Sequence, residues 1–154
     1  MSVHILQTTQ RLPISLEEAW DFFSSPKNLK EITPPYMNFK ILSNSNSEKM
    51  FAGQVITYNV HPILGIPLFW MTEITQVKNN AYFIDEQRIG PYNLWHHQHH
   101  FKAIEGGVEM NDFIHYQLPL GILGDLANCL FVKKQLQGIF DFRYQFLENR
   151  FGIL

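Results

Sequence analysis

The 154-residue chain has one cysteine, Cys129, so no intramolecular disulfide can form and a reducing compartment fits. Charged residues make up 17%, against about 25% in an ordinary globular domain. Neither sign dominates: 12 Lys and Arg stand against 14 Asp and Glu. A net charge of −2 with dispersed cations excludes a nucleic-acid binder of the usual basic kind. Long apolar runs are also missing. The longest, Pro62 to Met71, is interrupted by Gly65 and Pro67 and falls short of the ~20 residues that span a bilayer. The N-terminus has neither a basic start nor an apolar core, so no secretory signal and no stable membrane insertion are expected, and the chain reads as cytoplasmic.

Apolar residues make up 45% and aromatics 14%, thirteen of them Phe. That composition excludes intrinsic disorder. It suits a single domain over residues 1–154, which at this size buries roughly 70% of its extended surface.

Residues Val3 to Ile14 mix β-branched and polar side chains and predict an opening strand. Ser15-x-x-Glu18 is a capping-box pattern ahead of a helical stripe of Leu16, Ala19, Trp20 and Phe23, which Pro26 ends. A second short helix is expected over Asn28 to Ile32, stopped by Pro34-Pro35. Ser43 to Lys49 reads as a polar loop. From Gln54 to Leu118 strands follow one another, with Asn79-Asn80 and Gly106-Gly107 as two-residue turns and a break at Gly90-Pro91. A long helix is predicted over Asp125 to Arg150. Its apolar side carries Cys129, Val132, Leu136, Ile139, Phe140, Arg143 and Leu147, which makes Cys129 a buried, inert thiol.

Turn register assigns faces, because cross-strand partners share one. Counting outward from Gly106-Gly107 opposes Glu105 with Val108, Phe101 with Asp112, His99 with Ile114, His97 with Tyr116 and Trp95 with Leu118. The buried face then holds those residues other than Glu105, with Ala103 and Met110, while His96, Gln98, His100 and Lys102 point away. Counting across Asn79-Asn80 groups Trp70, Thr72, Ile74, Phe83, Asp85, Gln87 and Ile89. A three-residue loop at Gly90 aligns this set with the first, which is the expected arrangement, and a four-residue loop opposes it.

The order strand, two short helices, antiparallel meander and long C-terminal helix resembles the helix-grip fold of the START-related SRPBCC superfamily. That superfamily includes lipid-transfer START domains, plant pollen-allergen proteins and polyketide cyclases. The resemblance rests on Pro13 through Ala19-Trp20, Leu29-x-x-Ile32-Thr33-Pro34-Pro35, Phe83-x-Asp85-Glu86-Gln87 and Gly90-Pro91-Tyr92. Trp95-x-His97-x-His99-x-Phe101 and Asp112…Tyr116-x-Leu118-Pro119-x-Gly121 complete it. It is nearest to a bacterial subgroup of ligand-binding proteins, some labelled cell division inhibitors. The resemblance implies an α+β fold, a curved antiparallel sheet of about seven strands around the C-terminal helix, with a hydrophobic cavity between them. It implies no single reaction, since this fold hosts carriers and enzymes.

A buried face carrying His97, His99, Asp112 and Tyr116 departs from a plain core. Three readings fit. The residues form a hydrogen-bonded network, they orient a ligand's polar end, or one His exchanges protons while an Asp fixes its tautomer. Of WHHQHH, alternation turns only His97 and His99 inward. Zinc normally takes three protein donors, so a metal would need Asp85 or Asp112 as well. No metal and no cofactor is expected. The predicted function is binding or transport of a small hydrophobic molecule such as a lipid, quinone or polyketide. The pocket is predicted to comprise Trp70, Phe83, Asp85, Gln87, Trp95, His97, His99, Phe101, Asp112, Tyr116, Leu136 and Phe140. The alternatives are a cyclase- or dehydratase-like enzyme using His97 or His99 with Asp112, and a protein-interaction module acting through the exposed helix face.

Overall fold

A computed structural model describes residues 2–43, 48–62 and 65–154. Most of the polar loop predicted at Ser43 to Lys49, and Ile63 and Leu64 of the apolar run, lie outside the described residues.

The opening strand, β1, is His4–Leu12, and α1 follows at Leu16–Phe23. Ser15 caps α1: its Oγ accepts the Glu18 backbone N–H at 3.0 Å, the half of the capping box that satisfies an otherwise orphaned donor. Ala19, Trp20, Phe22 and Phe23 are buried, and Trp20 meets Phe101 edge-to-face at 5.6 Å. The second helix expected at Asn28 to Ile32 is instead a 3-10 helix over Pro26–Lys30, followed by another at Pro35–Met37. Each begins on proline, whose missing N–H is harmless at a helix start.

The strands are β2 Lys40–Ile41, β3 Gln54–Val60, β4 Leu68–Lys78, β5 Tyr82–Ile89, β6 Leu94–Ile104 and β7 Gly107–Gln117. They form one seven-stranded sheet in the order β1-β7-β6-β5-β4-β3-β2, every pairing antiparallel. The two edges are thus the first strand and the two-residue β2, which sequence inspection missed because it is so short.

The β6–β7 turn is Glu105-Gly106, with Gly106 at φ +78°, and Ile104 opposes Gly107. The predicted pairing is therefore two residues out. Phe101 opposes Met110, His99 opposes Asp112, His97 opposes Ile114 and Trp95 opposes Tyr116. Because the shift is even, the inward face is unchanged. Ala103, beside the turn, is exposed despite lying on that face.

The β4–β5 connection also differs. Lys78 opposes Tyr82, so the loop has three residues, with Asn80 at φ +56°. A bulge at Thr75 then restores the counted register, placing Ile74 opposite Asp85 and Thr72 opposite Gln87. A second irregularity inserts Arg88 on β5, between Thr72–Gln87 and Met71–Ile89. On the other side of β5, Asp85 opposes His97 and Phe83 opposes His99, so the two inward sets do align.

The C-terminal helical segment starts before Asp125. It comprises α2 at Ile122–Ala127, a π-helical turn at Asn128–Val132 and α3 at Lys133–Phe151. The wide π turn changes which side chains face inward at its start. Asn128 is buried and Cys129 is exposed, which corrects the buried-thiol expectation. From Val132 onward the predicted stripe holds: Val132, Leu136, Phe140, Arg143 and Leu147 are buried. No helix among the described residues is long and apolar enough to cross a membrane.

Two buried clusters result. One joins α1 to β1, β3–β7 and Leu147, through residues such as Trp20, Phe23, Ile56, Phe83 and Phe101. The other joins Ile114 and Tyr116 of β7 to Val132, Leu136 and Phe140.

Candidate functional site

Between the sheet and α3 lies a cavity of about 210 Å³ whose walls come from both clusters. Of the twelve predicted pocket residues, Trp70, Phe83, Asp85, Trp95, His97, His99, Leu136 and Phe140 line it. Four do not. Gln87 faces the right way, but its amide donates to the Tyr92 carbonyl at 2.6 Å and accepts the Tyr92 N–H at 3.2 Å, tying down the β5–β6 loop. Phe101 is packed within the α1 aromatic cluster. Tyr116 donates its hydroxyl proton to Asn128 Oδ1 at 2.8 Å, joining β7 to the π turn. Asp112 stands behind the histidines and lines a second hollow of about 230 Å³ between β1 and α3. Phe140 and Arg143 line both spaces, so Asp112 and these two side chains form the partition.

The polar centre of the cavity is built from neighbouring strands. His97 and His99 alternate on β6, with ring centroids 3.7 Å apart. Asp85 of β5 lies on one side of them and Asp112 of β7 on the other. His97 Nε2 is 3.0 Å from Asp112 Oδ1, and His99 Nε2 is 2.9 Å from Asp85 Oδ2. His97 Nδ1 is 3.5 Å from Asp85 Oδ2. His99 Nδ1 is 2.8 Å from Asp112 Oδ1 but lies off the bonding direction, and it makes no hydrogen bond. Thr8 donates to Asp112 at 3.4 Å, and Thr72 to Asp85 at 3.5 Å.

Arg143 of α3 completes the network, its Nη1 3.4 Å from Asp112 Oδ1 and its guanidinium over the rings of Phe23 and Phe140. Sequence inspection placed Arg143 on the apolar stripe without giving it a role. A charge on a buried face is itself a signal, since it requires a counter-ion. Tyr58 and Tyr92, which also line the cavity, were missed as well; Tyr92 had been visible only as part of the Gly90-Pro91-Tyr92 match.

Charge states follow from these contacts. Burial opposes the Asp112 charge, but Arg143 and the two histidines outweigh it and hold the carboxyl well below its ordinary range. Asp85 is likewise opposed by burial and held down by His99 and His97. Burial and the neighbouring His99 lower His97, which favours its neutral form. For His99, burial works against protonation, yet Asp112 and Asp85 together raise it. The arrangement thus sets two carboxylates against Arg143 and two imidazoles whose proton affinities are pushed in opposite directions. The buried Trp70 indole N–H has no hydrogen-bond partner among the described residues.

No family model and no curated protein sequence matches the chain. Solved structures do. A START superfamily protein from Mycobacterium smegmatis superimposes with a TM-score of 0.71 at 15% identity, covering 96% of this chain and 97% of that one. An uncharacterised protein from Rhizobium leguminosarum gives 0.69 at 14%, covering 96% of each chain. Ara h 8.0201 gives 0.60 at 16%, covering 96% of this chain and 99% of that one. At such identities the likeness speaks for architecture: the chain has an α+β helix-grip fold, a seven-stranded antiparallel sheet with a long C-terminal helix, similar to these START-like structures.

Proposed function

We propose that the chain binds a compact hydrophobic molecule in the cavity between sheet and α3, with the molecule's oxygen-bearing end against Trp70, Asp85, His97 and His99. One observation carries this reading. The cavity is walled by aromatic and aliphatic side chains, yet its lining also includes Trp70, whose indole N–H has no partner among the described residues, and the buried Asp–His cluster. Ligand pockets commonly combine an apolar lining with a few convergent polar groups, whereas a buried donor with nothing to bind is costly in a filled core. A volume of about 210 Å³ lies below the usual ~300–1,000 Å³ of drug-sized sites. It therefore favours a small quinone, a short lipid or a cyclic polyketide fragment.

The experiment is native mass spectrometry of freshly purified protein, followed by titration of any recovered or candidate ligand. Trp70 and Trp95 meet edge-to-face at 5.3 Å in the cavity wall, so binding is expected to change tryptophan emission. Trp70→Phe keeps an aromatic ring at the wall but removes the N–H, and it is expected to weaken ligands that accept a hydrogen bond more than those that do not. Unchanged affinity in Trp70→Phe, or no ligand-dependent emission across quinones and lipids, would overturn the reading.

A second reading, acid/base chemistry of the cyclase or dehydratase kind, is favoured by the opposite shifts of His97 and His99. Adjacent groups pushed toward different protonation states are the arrangement that acid/base pairs use. Recovered ligand that is chemically altered by the protein but not by His97→Ala supports it, and identical ligand from both excludes it.

A further inference from the structure

His97 and His99 each direct one ring nitrogen toward Asp112 Oδ1 and the other toward Asp85 Oδ2. The two sides of this array are unlike. On the Asp112 side a buried carboxylate takes contacts from both imidazoles and is balanced by Arg143. On the Asp85 side the carboxylate, His97 Nδ1 and His99 Nε2 converge at the cavity wall. His97 Nδ1 lies 3.5 Å and His99 Nε2 2.9 Å from the same Asp85 oxygen, so three potential ligand atoms gather at one point of the wall.

We infer that Asp85, His97 and His99 form a site for a first-row divalent cation such as Zn²⁺, bound through Asp85 Oδ2, His97 Nδ1 and His99 Nε2, with its remaining positions open to the cavity. One donor atom from each of the three residues can be chosen so that all lie within 4.8 Å of one another. Zinc bonds of ~2.0–2.2 Å place tetrahedral donors about 3.4 Å apart. The two measured contacts to Asp85 Oδ2, 2.9 and 3.5 Å, fall on either side of that spacing. Two imidazoles and a carboxylate suit zinc or its first-row neighbours and leave at least one position for water or a ligand oxygen.

The surroundings strengthen the assignment. Metal-bound histidines normally hand their second nitrogen to a carboxylate, which fixes ring orientation and raises basicity. Asp112 Oδ1 lies 3.0 Å from His97 Nε2 and 2.8 Å from His99 Nδ1, so one carboxylate oxygen stands behind both rings. Thr72 supports Asp85 from behind. The outward His96 and His100 belong to different contacts, His96 with Glu86 and His100 with Gln98, and take no part. This inference goes beyond the proposed hydrophobic ligand, and metal uptake is measured with no organic molecule present, so either idea can fail alone.

The test is Co²⁺ titration of chelator-stripped protein, read by calorimetry and by visible d–d absorption, with Zn²⁺ as competitor. The expected result is one saturable equivalent that Zn²⁺ displaces. Binding should be lost in Asp85→Asn and in His97→Ala, and retained in the double variant His96→Ala/His100→Ala. No saturable uptake by the unsubstituted protein would overturn the proposal, as would dependence on His96 or His100. Should Asp85→Asn fail to fold by circular dichroism, X-ray absorption on the one-equivalent zinc complex decides. Two imidazoles with a carboxylate support the site, and any other protein ligand set refutes it.

Discussion

Asp112 and Arg143 are 6% and 7% exposed, so each depends on the other for compensation of its charge. Asp112→Asn would leave the Arg143 guanidinium between Phe23 and Phe140 without an anion, an arrangement that costs about 3–5 kcal/mol when a buried pair is broken. Urea denaturation measures the loss; a change below about 1 kcal/mol, the range of exposed pairs, would show the network to be solvated. The same residues set a pH profile. Asp112 and Asp85 are held below their ordinary 3.8, so their contribution is complete above that value and is lost as pH falls through the lower folded values. His97, lowered from 6.5, also destabilises the fold on acidification below that value. His99 acts in the opposite sense: its contribution is full below 6.5 and disappears as pH rises through its raised folded value. Denaturation midpoints across pH should therefore fall on both sides, and His99→Gln should abolish the alkaline decline while keeping the acidic one.

β1 lies close against the β6–β7 hairpin. A Cβ on Gly107 would stand 2.1 Å from the Leu12 carbonyl oxygen, which is backbone and has no rotamer with which to yield. Gly107→Ala is expected to cost about 1–3 kcal/mol, as overpacking usually does, and thermal denaturation would show it. At the other end of β7, Asn128→Ala removes the acceptor of the Tyr116 hydroxyl and should cost about 1–3 kcal/mol. In that background Tyr116→Phe should add little, because the orphaned hydroxyl goes with it. The strand faces were legible in the sequence because alternation survives even-numbered errors. The β6–β7 register is two residues out, yet His97, His99 and Asp112 still share a face. The π turn was not legible. A helical wheel assumes a constant period, and the one wide turn replaces Cys129 with Asn128 on the inside.

For the molecule as a whole, the cavity depends on α3 standing away from the sheet, with Phe140 between the two hollows. Phe140→Ala should join them and destabilise the protein by about 3–5 kcal/mol. It should also shift ligand preference toward bulkier molecules in the tryptophan emission assay, and an unchanged preference would mean that Phe140 does not limit the space. Eight predicted residues reached the wall because it is drawn from inward faces, which periodicity reveals. Depth is another matter. Phe101 and Tyr116 face inward as expected, but α1 covers the first and the π turn meets the second. Gln87 is diverted to its own loop.

Thr75 on β4 and Arg88 on β5 are single insertions on opposite strands, one at each end of the three rungs that include Asp85. Bulges bend a strand and increase its local twist. Because one lies on each strand, the insertions offset one another, and Met71–Ile89 and Lys78–Tyr82 share one register on either side of the three rungs. Removing Thr75 would straighten β4 at that point while Ile74 kept Asp85 as its partner, so curvature and aim are separable in this hairpin. The rungs around the carboxylate at the centre of the cavity thus keep a register of their own between the two insertions.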